Sequence, residues 1–397
     1  MHRIEGENVD VTTGVNLFKT TPPYTVITPE LMNAIQEEIM YVISQAGMPL
    51  LNKSNDTRDQ LWTAMSRTIQ PYNYVVSSQA TFNALFTRTA ANTYKMASAY
   101  RSVYFKYVEG GYSVTPLLSG GDTWGDLYTN NASSVEFENG TYINFGSARG
   151  NITANTAGGY LRNVDIRGSG VVGAAVNSFY LQNNYVTFDN CKTSARNSNT
   201  NFHVFEGSGT ALHNTTSKYV NCTVSQITGS SNFYGFYKCY NLSNCIVENI
   251  SVNSGCYGFN LCYLLSNCIS YNLTSAVSTV YGFLYCYLVN SCLADNMTST
   301  ANNASGFQNC EQISTCIAKN ITGHSTAGDL GYGFSDCICI TSCSATLIAG
   351  NVNEGFHSCT YGAALYTNEA ANSGNDYIDT IASGGITNEQ SCGNWWT

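Results

Sequence analysis

Between residues 235 and 360 the apolar positions follow neither a helical stripe nor one continuous two-residue alternation. They fall into short clusters that return at a nearly fixed interval. One copy holds Gly235-Phe236, Cys239, Leu242, Cys245, Asn249 and Ile250. The next holds Gly258-Phe259, Cys262, Leu265, Cys268, Asn272 and Leu273. A third runs from Gly282-Phe283 through Cys286, Val289, Cys292, Asn296 and Met297, and a fourth from Gly306-Phe307 through Cys310, Ile313, Cys316, Asn320 and Ile321. Gly333-Phe334 opens a fifth and Gly355-Phe356 a truncated sixth. The first cysteine of each copy follows its predecessor by 23, 24, 24, 27 and 22 residues. Self-similarity at such a period is the mark of a solenoid.

The clusters are rich in β-branched, aromatic and Cys residues and are punctuated by Gly, Asn and Ser, which predicts short strands joined by turns. The expected fold is therefore all-β: a right-handed parallel β-helix with coils of about 23 residues. Stacked coils would set Phe on Phe, Cys on Cys and Asn on Asn at strand spacing. Pro stops at Pro116, and the following 281 residues contain none, as expected where nearly every backbone N–H pairs with a neighbouring coil. Upstream, Val135, Phe137, Ile143 and Phe145 alternate around an Asn139-Gly140 turn, and Leu161 to Ile166 reads as another coil.

The first part of the chain patterns differently. Thr28-Pro29-Glu30 is a helix start, followed by Leu31, Ile35, Ile39 and Ile43 at four-residue steps and stopped by Gly47. Asp59, Leu61, Trp62 and Met65 suggest a second helix, and Phe82, Leu85 and Phe86 a third. The expected organisation is a small, mainly α-helical region over 1–70, a connector over 71–119, and the β-helix with a C-terminal cap over 120–397.

Composition narrows the chemistry. Charged residues make up only 11% of the chain, and the formal net charge is −9. Residues 1–116 are neutral overall, so the whole deficit lies in the repetitive part, which offers no basic stripe for nucleic acid. No run of 18 apolar residues is present and the start of the chain lacks a signal-peptide core, so neither membrane insertion nor export is expected. Of the 16 cysteines, six fall in the phase of Cys239 and six in that of Cys222, Cys245, Cys268, Cys292, Cys316 and Cys343. This regularity predicts free thiols stacked in the core rather than a disulfide framework. Cys337, Cys339 and Cys343, with His357 and Cys359, have a zinc-like spacing, but the repeat already accounts for three of the four cysteines, so no metal and no cofactor is expected. Asn249, Asn272, Asn296 and Asn320 each begin a glycosylation sequon and are read instead as a stacked turn column.

Two surface features are candidate sites. Tyr240, Tyr263 and Tyr287 each follow a first-phase Cys, so alternation points them outward as an aromatic ladder suited to sugar contact or to simple stacking. Glu248, Tyr271, Asp295 and Lys319 share an outward phase, which carries Ile246, Ile269, Leu293 and Ile317 outward too. Such an apolar stripe suits a contact between identical chains, and a closed ring of three would bury it. A local turn rotating the column inward is the alternative. Glycoside hydrolysis would need two facing carboxylates. The regular coils supply Glu248, Asp295, Glu311, Asp329, Asp336 and Glu354, with Glu311 and Asp336 the nearest pair, although alternation sets them on opposite faces. Asp165, Asp189 and Glu206 form a looser group upstream. No catalytic residue is assigned.

Val15-Asn16-Leu17-Phe18, Thr28 through Ile39, Ala46-Gly47-Met48 and Asp59-Gln60-Leu61-Trp62-Thr63-Ala64-Met65 together resemble the N-terminal region of phage and prophage tail-fibre proteins. Joined to a parallel β-helix, the whole is similar to bacteriophage tail fibres and tailspikes. The resemblance implies attachment of the N-terminal region to another tail or baseplate protein. It also implies a homotrimeric β-helix, host-surface glycan or receptor binding, and a place in the virion tail after synthesis in the host bacterial cytoplasm. A glycan-depolymerising tailspike, acting as hydrolase or lyase, and a secreted β-helix adhesin are the alternative readings.

Overall fold

The computed structural model describes Glu37, Ile39 and Tyr41, and residues 74–368 apart from short stretches, the longest being 208–216. The chain divides into two units, 1–75 and 76–397. Within the first, Glu37, Ile39 and Tyr41 are helical, as the Leu31–Ile43 stripe predicts. The Thr28 cap, the Gly47 stop, the Asp59–Met65 helix, the resembling motifs and the C-terminal cap lie outside the described residues.

The second unit is a β-solenoid. Three sheets of 11, 11 and 12 strands form its walls, and neighbours are every third strand of the chain except at the start of the third sheet and the end of the second. One coil shows the plan. Phe233–Tyr237 belongs to the third sheet, Tyr240–Ser243 to the first and Ile246–Val252 to the second, before Cys256–Asn260 returns beside Phe233–Tyr237. Pairing is parallel, except where Phe86–Ala90 meets Thr93–Met96 at the start of the third sheet. The first strands of all three sheets, beginning at Tyr74, Phe86 and Tyr112, lie upstream of residue 120. The segment 71–119, expected as a connector, thus contains solenoid strands. They lack the Gly-Phe and Cys signature because Phe105 and Tyr112 fill the core there instead.

Register stacks the repeat on itself. Eight phenylalanines from Phe179 to Phe356 form one internal column, with ring centroids 4.6–5.0 Å apart and planes within 8° of parallel. Gly precedes each Phe from residue 235 onward because the second sheet presses against it. A Cβ on Gly282 would lie 2.9 Å from the Ala294 Cβ, and one on Gly306 would lie 2.7 Å from that of Ala318. This is also why Val247, Ser270, Ala294 and Ala318 are small, and all four point inward and are buried as alternation predicts.

The asparagine column lies within the strands of the second sheet rather than between strands. Asn249, Asn272, Asn296 and Asn320 hold φ of 53–60°, a left-handed bend that Asn tolerates well. Their amides form a ladder: Asn272 Nδ2 donates to Asn249 Oδ1 at 2.8 Å and Asn296 Nδ2 to Asn272 Oδ1 at 3.1 Å. Asn320 departs from it and donates to Asp295 Oδ1 at 2.7 Å. Both cysteine phases sit at corners. Cys262 Sγ, for instance, donates to Phe236 O and Asn260 O, both at 3.4 Å, filling the bend while partnering its carbonyls. Cys191 extends the second phase by one coil, since Lys192 and Thr223, which follow Cys191 and Cys222, pair in the second sheet. Burial pushes the thiols of Cys262, Cys286 and Cys310 well above the usual range, so they stay protonated.

The first coil is covered. Gln79–Leu85 is the helix expected around Phe82, and it starts at a capping box in which Ser78 Oγ accepts from Thr81 N while Thr81 Oγ1 accepts from Ser78 N. Phe82 packs on Phe86, Phe105 and Tyr112. Gln79 imitates a strand: its Nε2 donates to Ser113 O at 2.8 Å and its Oε1 accepts from Ser113 N at 2.7 Å, closing the edge of the second sheet.

Fourteen described cysteines are free and buried, whereas Cys339 is disulfide-bonded. Native protein should therefore react scarcely at all with a thiol reagent, and denatured, unreduced protein should expose about that number of thiols. Recovery of only a few would contradict the stacked-thiol core. Ser270 offers a stability test. Its buried Oγ has no partner, and its inward neighbours in the column are Val247 and Ala294. Ser270→Ala should raise unfolding stability by about 1 kcal/mol, seen as a higher urea midpoint at unchanged slope.

Candidate binding surfaces

On the first sheet Tyr240, Tyr263 and Tyr287 form the expected ladder. Adjacent ring centroids are 4.7 Å apart, and the planes are 13° and 16° from parallel. All three rings are half-buried. The middle ring has both faces covered by its neighbours, so the ladder offers solvent mainly ring edges and hydroxyls. Glu311 continues the column beside Tyr287, and Gln312 Nε2 donates to the Tyr287 hydroxyl at 2.7 Å.

On the second sheet Ile246, Ile269, Leu293 and Ile317 are direct neighbours in register. The first three are half-buried and Ile317 is 43% exposed, in contrast to the buried Val247, Ser270, Ala294 and Ala318 one position on. The stripe begins after Thr223 and ends before Ser344. In the adjoining column Asp295 is covered by Lys319, whose Nζ lies 3.2 Å from Asp295 Oδ2.

The carboxylates are dispersed. Asp165, Asp189 and Glu206 belong to the second, first and third sheets respectively, each beside basic side chains of its own. Asp165 Oδ2 is 2.8 Å from Arg167 and 3.7 Å from Lys192; burial pushes its carboxyl up against the pull of both cations. Asp189 Oδ2 is 3.0 Å from Arg162 Nε, and Glu206 Oε2 is 3.0 Å from His203 Nδ1. Glu311 lies in a first-sheet strand, whereas Asp336 occupies the turn before the paired strand Ile338–Thr341 of the next coil, with φ of 52°, and accepts from Ser335 Oγ. Tyr271 separates Glu248 from Asp295. Asp329 lies outside the described residues. Of the zinc-like group, Cys337 and Cys359 donate to backbone carbonyls, while His357 Nδ1 contacts Glu354 Oε2 at 2.5 Å.

The third sheet carries a surface that the repeat as written from Gly-Phe onward leaves out. The residue before each glycine points outward, and the column reads His203, Tyr234, Tyr257, Tyr281, Ser305, Tyr332 and Glu354. Tyr234 and Tyr257 stack at 4.7 Å and 15°. His203 meets Tyr234 edge-on and lies 4.5 Å from Tyr237, while Tyr332 packs at 4.7 Å on His357. Two His–Glu pairs, His203–Glu206 and Glu354–His357, thus bracket a row of tyrosines. Burial raises Tyr234 and Tyr332 to about 12, so both phenols keep their protons and can donate hydrogen bonds at neutral pH. The recurring Tyr-Gly-Phe triplet was the signal that could have found this face.

No protein-family model matches the chain, and a search of curated proteins finds no significant match.

The apolar stripe makes a prediction. Replacing Ile269 and Leu293 together by Lys should leave a folded solenoid by circular dichroism, because both side chains lie outside the core. Light scattering should then report a smaller particle than the wild type. An unfolded or insoluble product would instead show that the column supports the coil, and an undiminished oligomer would remove the stripe from the interface.

Proposed function

We propose that this chain is a structural tail fibre or tailspike-like protein that recognises a glycan or receptor on a bacterial surface. In this reading the N-terminal region docks on another tail or baseplate protein. The solenoid, wound right-handed in coils of about 23 residues, projects outward as part of a homotrimer in the virion tail. The observation that carries the reading is the pair of hydroxyl-bearing aromatic columns, one through Tyr240, Tyr263 and Tyr287 and one through Tyr234, Tyr257 and Tyr281. Tyrosine offers sugars an apolar ring and a polar tip at little entropic cost. The chirality of parallel crossovers supports the winding, and the Ile246–Ile317 stripe supports a self-contact. The N-terminal motifs support the phage assignment by resemblance alone. Asp165, Asp189 and Glu206 lie in three different sheets, so this group does not support a depolymerase reading.

An array of bacterial O-chain and capsular polysaccharides tests this. Full-length protein should bind a subset of them saturably, and a folded Tyr240→Ser, Tyr263→Ser, Tyr287→Ser variant should bind more weakly. Equal binding by that variant would exclude the first-sheet ladder, and no binding by the wild type would overturn the proposed recognition role.

A further inference from the structure

The outward column of the third sheet is interrupted once between tyrosines. Ser305 occupies the place between Tyr281 and Tyr332 where a continuous ladder would have a ring. Two coil steps at strand spacing separate the flanking backbones by about 9.6 Å. Stacked rings elsewhere on this face are 4.7 Å apart, so the interval has the height of one additional ring. Tyr281 leans out of its own ladder: it is 5.7 Å and 35° from Tyr257, against 4.7 Å and 15° between Tyr234 and Tyr257. Tyr332 is held from its far side by the His357 ring.

Ser305 itself is the second observation. It is fully buried on the outer face of the sheet, and its Oγ has no hydrogen-bond partner. Ser270 is also unpartnered, but it points into the core, where its column neighbours are apolar and no ligand could reach. Ser305 instead shares the outward column of Tyr281 and Tyr332, and the interval over it is closed to solvent in the unliganded chain. An orphaned hydroxyl there costs about 1–3 kcal/mol unless something else satisfies it.

We infer that the interval over Ser305 is a subsite for one uncharged sugar ring, held between Tyr281 and Tyr332. This rests on the glycan-recognition reading above and specifies its place and its ligand. Entry of the ring returns Tyr281 to its ladder position and gives Ser305 Oγ a hydroxyl partner. The C–H face of a pyranose packs on the aromatic faces, and its hydroxyls meet polar groups at the rim. The rim sets the charge preference. The carboxylate of Asp336 bears electrostatically on Tyr281, and those of Asp336 and Glu354 on Tyr332. A uronate or other anionic sugar would be repelled.

The experiment uses the full chain on an array of neutral and uronate-bearing bacterial polysaccharides. Ser305→Tyr completes the ladder, so the variant should fold with thermal stability equal to or above that of the wild type. It should lose binding to neutral polysaccharides by about tenfold or more, the weight of one to two aromatic contacts. Should that variant fail to fold, Tyr281→Ser removes one wall and is expected to show the same loss. A folded Ser305→Tyr protein that binds like the wild type overturns the subsite. So does a wild-type preference for uronate-bearing polymers. If the wild type binds and only the Tyr240, Tyr263, Tyr287 triple variant loses affinity, the subsite is wrong while glycan recognition stands. If the wild type binds no polysaccharide, both fail.

Discussion

Parallel, in-register pairing sets each residue of this solenoid against its counterpart one coil away, at the separation of neighbouring strands. Every outward and inward column must therefore tolerate copies of itself at van der Waals range. Phenylalanine does so by stacking, asparagine by donating its amide N–H to the amide oxygen of the neighbouring asparagine, and cysteine by hydrogen-bonding to the corner carbonyls around it. Charge does so badly, because like charges directly opposite one another repel. In the paired registers among the described residues, directly apposed charges are opposite in sign: Glu136 beside Arg162 beside Asp189, Asp165 beside Lys192, and Asp295 beside Lys319. The low charge content of the chain is thus a consequence of stacking.

The same constraint has a weak point where the stacking begins. The terminal strand of a solenoid has unpaired backbone groups and a core open to water. The short helix at Gln79–Leu85 answers both problems, placing Phe82 over the aromatic core and the Gln79 amide against Ser113. A side-chain amide is the closest side-chain equivalent of a peptide group, donating and accepting in one plane.

How much of this was legible depends on what each signal measures. The coil plan was readable because Gly-Phe, Cys and Asn recur, and the inward column from Val247 to Ala318 followed from alternation alone. The early coils were not readable, because Val103, Phe105 and Tyr112 satisfy the same core with residues that repeat nowhere else. The left-handed bend inside the strands was only half readable. Asn249 announces it, but Leu264 and Leu288 adopt φ of 57° and 55° at another bend, against their preference, because neighbouring coils impose the path. The third-sheet tyrosines were hidden by where the repeat was taken to begin. The outward ladder on the first sheet was readable from the sequence, but the covering of its ring faces needed the geometry.

That covering bears on where recognition can reside. In an unbroken column each aromatic face is already occupied by its neighbour, so a long ladder stabilises the coil and leaves few groups free for a ligand. Free faces arise only where a column ends or is interrupted. The first-sheet ladder ends when Glu311 follows Tyr287, and the third-sheet row is broken at Ser305 and bordered by His203 and His357. A repetitive scaffold thereby acquires specificity from its departures from repetition. The stacking that makes a ladder stable also fixes the height of the gap left when one rung is missing, and so determines the size of ring that can fill it.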